Sequence, residues 1–142
     1  MTKDKNIISA LSFYFFAFLL DSSITTYGIL SGKGMEGDKI VLWLWGIFGQ
    51  DSLLLKLLYV LLIFSVSYVV YKKFSKFIGL WIPFTFGFGH LMGFSTWLPL
   101  FFHNLSIIGR LYGYLGIYGI FILAPVLGFA ASFIVDRFTA SG

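Results

Sequence analysis

Four apolar runs dominate this chain, and they leave it few ways to fold. They cover roughly Ile7 to Leu30, Leu53 to Tyr71, Phe77 to Phe102 and Leu111 to Val135. Each holds ~19 to ~26 residues, against the ~20 that a helix needs to cross a ~30 Å hydrocarbon layer. Only 11% of the 142 residues are charged, while 58% are hydrophobic and 21% aromatic. A water-soluble domain this small cannot cover its surface with so few polar groups. The expected class is an all-α integral membrane protein with four transmembrane helices, in one domain spanning residues 1–142. With no cysteine, disulfides and thiolate chemistry are excluded.

Lys3 and Lys5 precede the first run as they precede the apolar part of a signal peptide. No small-x-small cleavage site follows, and the run continues past Asp21 for a full helix length, so the segment reads as a span. Between spans one and two, Gly32, Gly34 and Gly37 mark a turn-prone loop. "KIVLWLWGIFG" (39–49) comes next and is too short to cross. Trp43 and Trp45 favour the headgroup level, so residues 39–49 are expected to form a short interfacial helix, lying in plane or shallowly re-entrant. Gly46, Gly49 and "QDS" separate it from span two. Lys3, Lys5, Lys72, Lys73, Lys76 and Arg137 fall on one side of a four-span layout, and Lys33, Lys39 and Arg110 on the other. That excess predicts both termini in the cytoplasm, with the chain in the cell membrane. The net charge of +4 orients spans in this reading, and no nucleic-acid partner is expected.

The ionisable groups inside the runs are the candidate site. Asp21 and His90 each lie about 20 Å from the inner ends of their spans, and Lys56 enters span two from the other side. Such groups cost ~2.5–3.5 kcal/mol or more, so they should face inward and pair. Asp21 is expected to pair with His90 or Lys56, with Thr25 or Thr26 donating a hydroxyl. Tyr14, Ala17, Asp21, Thr25 and Gly28 share one helix face, as do Pro83, Phe86, His90, Gly93 and Trp97. In "GFGHLMG", Gly87, Gly89 and Gly93 permit a neighbouring helix to close on the imidazole. Ala124, Gly128 and Ser132 form a small-xxx-small packing face on span four. Phe13, Tyr14, Phe15, Phe16 and Phe18 read as lipid-facing or packing side chains, and Pro83 and Pro99 as kinks.

Two readings of Asp21 stay open: a proton or cation relay, and a polar clasp between helices. His90 reads as a hydrogen-bonded core histidine, because His103, thirteen residues on, is not at ligand spacing. "NLS" at Asn104–Ser106 fits a glycosylation acceptor, a short pattern that often occurs by chance. No phosphate loop, nucleophile elbow or metal cluster is present in the sequence. No cofactor or metal is expected, and catalysis is disfavoured.

"LLDSSITTYGILSGKGMEGD", with Lys56 after it, resembles small multi-span membrane proteins of unknown function from archaea and bacteria. The shared pattern is Asp-x-x-x-Thr-Thr, a glycine, a Glu-containing turn and a Lys opening the next helix. The resemblance covers the N-terminal part of the chain and implies that Asp21, Thr25, Thr26, Glu36 and Lys56 are the defining residues. It departs at Asp38, where Asn and then Pro would stand, and it implies no activity.

The function expected from these features is a non-catalytic accessory subunit of a larger membrane complex, of energy-transducing, respiratory or membrane-oxidase type. Its partners would be the bilayer and other membrane subunits or copies of itself. The alternative is a small proton- or cation-coupled transporter using Asp21, and an intramembrane enzyme comes third.

Overall fold

The computed structural model describes residues 4–32, 43, 46–49, 52–101 and 106–140; the side chains of 52–54, 100, 101, 106–118, 139 and 140 lie outside that description. Four long helices account for nearly all of it: α1 (Lys5–Leu30), α2 (Ser52–Lys73), α3 (Lys76–Phe101) and α4 (Ser106–Ala140). All four contain a stretch long and apolar enough to cross a membrane.

Helix ends follow local chemistry. α1 stops where Gly32 takes φ +65°, a left-handed conformation that glycine adopts without strain. The Ser31 and Gly32 amides then donate to the carbonyls of Tyr27 and Ile29. Between α2 and α3 only Phe74 and Ser75 intervene, and both donate their N–H to the Val70 carbonyl. Ser75 Oγ accepts the N–H of Ile78 at 3.3 Å, capping α3. Gly79 keeps this hairpin tight, since a Cβ there would lie 2.5 Å from Tyr71 Cα.

The fourth helix extends beyond its apolar run. The apolar run begins at Leu111, but the helix begins at Ser106 and runs for 35 residues. Helical hydrogen bonding needs no apolar side chain, and no proline lies between Ser106 and Pro125 to stop it. Pro83, Pro99 and Pro125 all sit inside continuous helices. Within the expected interfacial segment, Trp43, Gly46, Ile47 and Phe48 are helical and exposed. Gly49, at φ +54°, turns the chain before α2. The rest of that segment, and Glu36, Asp38, His103 and Asn104, fall outside the described residues.

α3 is the centre. It packs against each of the other three helices, parallel to α1 and antiparallel to α2 and α4. Leu61 and Leu62 on α2 are each 58% exposed, and Phe121 on α4 is 71% exposed; α3 leaves only Ile78 strongly exposed among its described large apolar side chains. In a lipid surrounding, helices apolar on every face would gain little by hiding one of them. Close fit, small residues and hydrogen bonds select the inward face instead. One cluster (Ile7, Ala10, Tyr71 and Leu80, with Val135 against it) closes the end holding the start of α1 and the end of α4. A second, of Tyr14, Phe18, Val60 and Ile63, fills the middle between α1 and α2, under Phe86 of α3.

Candidate functional site

The inward face of α1 recurs at three and four residues: Ile7, Ala10, Tyr14, Ala17, Phe18, Ser22, Thr25 and Gly28 are buried. Asp21 belongs to this face. α3 runs parallel to α1, which carries His90 to the same depth. His90 Nδ1 and Asp21 Oδ2 lie 2.8 Å apart, a hydrogen bond whose proton position depends on the imidazole tautomer. With the carboxylate ionised, Nδ1–H donates to it, and protonation of the ring makes the pair a salt bridge.

Glycine makes this approach possible. A Cβ at position 93 would stand 2.9 Å from Asp21 Oδ1, so the carboxylate lies directly on the α3 backbone one turn beyond His90. At Gly87 a Cβ would meet Phe13 Cε1 at 2.5 Å and Tyr14 Cα at 3.3 Å. The imidazole is walled by aromatic rings. Tyr14 stacks on it with centroids 5.7 Å apart at 29°, and Phe18 meets it edge-on at 5.4 Å and 84°. Asp21 and His90 each keep about a fifth of the side chain exposed, at 21% and 23%. No described residue meets His90 Nε2. Tyr14 is fully buried and its hydroxyl has no partner among the described residues.

Other expected members stand apart. Lys56 lies one turn before Val60 on the line Val60, Ile63, Ser67 that α2 turns inward, yet it forms no ion pair with Asp21 among the described residues. α2 meets α1 along a much slighter contact than α3 does, and α3 has already supplied the partner. Thr25 is buried and Thr26 half-buried, but neither hydroxyl bonds to Asp21 among the described residues. The carboxylate turns across to α3 instead of along its own helix.

Gly89 faces away from this pair. A Cβ there would have Ala124 of α4 as its nearest neighbour, at 3.9 Å, an ordinary contact distance. Ala124, Gly128 and Ser132 are all buried in the α3–α4 seam. Gly128 lies against the Thr85 backbone, where a Cβ would stand 2.7 Å from the amide nitrogen. Ser132 Oγ donates to the Gly128 carbonyl at 2.7 Å, and the Trp81 indole N–H donates to the Pro125 carbonyl at 3.0 Å. Thr85 Oγ1 is buried there without a partner among the described residues.

Sequence reasoning did not identify Phe18 as a wall of the histidine site or Trp97 as the ring against Gly28. A signal for Phe18 was present, since it lies three residues before Asp21 on the same face. Among the described residues, no three His, Asp or Glu side chains gather as a metal site. No family model, curated protein or solved structure matches this chain.

Proposed function

We propose that this chain is a four-span membrane protein of the cell membrane, with both termini cytoplasmic, acting as a non-catalytic subunit of a larger membrane complex. In this reading Asp21 and His90 clasp α1 to the central helix. The contact between the Asp21 carboxylate, His90 Nδ1 and the Gly93 backbone carries it: the acid is already held by its own fold. A group so held contributes rigidity to the bundle. The Lys and Arg residues gathered where α1 starts and α4 ends support the orientation. The apolar outer faces of α2 and α4 suit lipid or neighbouring subunits.

The transport reading keeps one specific support: the pair is partly exposed, and His90 Nε2 has no hydrogen-bond partner among the described residues. Asp21→Asn separates the two in native membranes and in proteoliposomes. The clasp reading expects weaker recovery of co-purifying subunits and a lower melting temperature. Intact assembly with abolished proton or cation flux would reverse the preference. Purification in mild detergent as a lone monomer or homodimer would count against the subunit role.

A further inference from the structure

The end of the bundle away from Asp21 carries charge that the clasp does not use. α2 closes with Lys72 and Lys73, and α3 opens with Lys76. Lys72 is committed: its Nζ lies 2.5 Å from Asp4 Oδ1 and 5.6 Å from the centre of the Tyr68 ring. Arg137 stands 4.9 Å from the Phe133 ring centre. Lys73 and Lys76 are different. Both are exposed, and among the described residues neither ammonium meets an acceptor.

Phe74, between them, is 80% exposed, and Phe138 at the same end of α4 is 77% exposed; they are the most exposed of the described large apolar side chains. The turn presenting Lys73, Phe74 and Lys76 is held by the Val70 carbonyl, the Ser75 hydroxyl and the close Gly79–Tyr71 approach. A hydrogen-bonded two-residue turn thus offers two cations, without an acceptor among the described residues, on either side of an exposed ring. At most three Cα steps, about 11 Å, separate the lysines, and each side chain can reach inward toward a shared anion.

We propose that this turn binds the headgroup of an anionic phospholipid. The ammonium groups of Lys73 and Lys76 take the phosphate oxygens, and Phe74 lies at the boundary of the acyl chains, where aromatic rings are favoured. A net-negative headgroup brings a charge that both cations attract, whereas the cationic moiety of a zwitterionic one opposes them. The proposal rests on the membrane reading given above.

The test uses the full chain in phosphatidylcholine nanodiscs with phosphatidylglycerol titrated in, counting retained lipids by native mass spectrometry. The wild type is expected to retain phosphatidylglycerol preferentially. Each of Lys73→Gln and Lys76→Gln should weaken that retention roughly fivefold, raised salt should weaken it further, and Lys73→Arg/Lys76→Arg should preserve it. Phe74→Ala should shorten retention, and inorganic phosphate should not compete. Equal retention by wild type and the double Gln variant overturns the proposal. Full competition by inorganic phosphate does so too, since it would mean a simple anion site. A chain that never enters the disc fraction would instead defeat the membrane reading, before any lipid is counted.

Discussion

α3 meets its two closest neighbours by different physics. Toward α1 it presents His90 between Gly87 and Gly93, and the seam holds a hydrogen-bonded acid and imidazole among aromatic rings. Toward α4 it presents Thr85 and Gly89 to Ala124, Gly128 and Ser132. The small-residue seam gets its closeness from backbone meeting backbone. The polar seam uses glycine to let a side chain reach a partner, and its specificity comes from that one bond. Glycine is common to both, so glycine alone does not show which kind of seam a helix pair will make.

The largest effect should come from closing the α4 seam. Gly128→Leu drives a side chain into the Thr85 backbone, which cannot turn aside, at a cost of about 3 kcal/mol or loss of the fold. Gly89→Ala, with its methyl 3.9 Å from Ala124, should be neutral or should stabilise by up to about 1 kcal/mol. Thermal unfolding in detergent compares the two. Similar melting temperatures would mean that the seam is not built on backbone contact.

Next in size is the polar seam. A double-mutant cycle on Asp21→Ala and His90→Ala should give a coupling of about 0.6 kcal/mol, the average for hydrogen bonds between membrane helices, and no more than about 1.7 kcal/mol. A coupling near zero would leave the α1 seam resting on packing alone, with the Trp81–Pro125 bond of the α4 seam as the stronger polar tie.

The smallest effect belongs to Tyr14. Its ring walls His90 while its buried hydroxyl has no partner among the described residues. Tyr14→Phe keeps the ring and removes that hydroxyl, so the melting temperature should stay level or rise, by the equivalent of about 1 kcal/mol at most. A clear fall would show that the hydroxyl is bonded, and that the polar seam extends beyond Asp21 and His90.

Much of this was legible beforehand. The four apolar runs coincide with four helices because long apolar stretches between polar breaks need internal backbone hydrogen bonds and little else. The face Tyr14, Ala17, Asp21, Thr25 and Gly28 is readable from helical period alone. The start of α4 was not, since a helix can begin in residues with no apolar signal. Lys56 was not settled either. His90 and Lys56 were both candidate partners for Asp21, and the sequence does not say which helix lies beside α1.

The sequence by itself determined the four helices, their approximate extents, a face on α1, α3 and α4, and the closeness that their glycines allow, because these depend on local period and on size. Only the tertiary structure decided that α3 is central, that Asp21 goes to His90 and not to Lys56, and that Gly89 serves α4 while Gly93 serves α1. Those outcomes depend on which helices lie side by side and in which direction. Near-uniformly apolar helices carry almost no pattern that encodes their neighbours; the choice rests on fit and on a few hydrogen bonds between residues far apart in the chain.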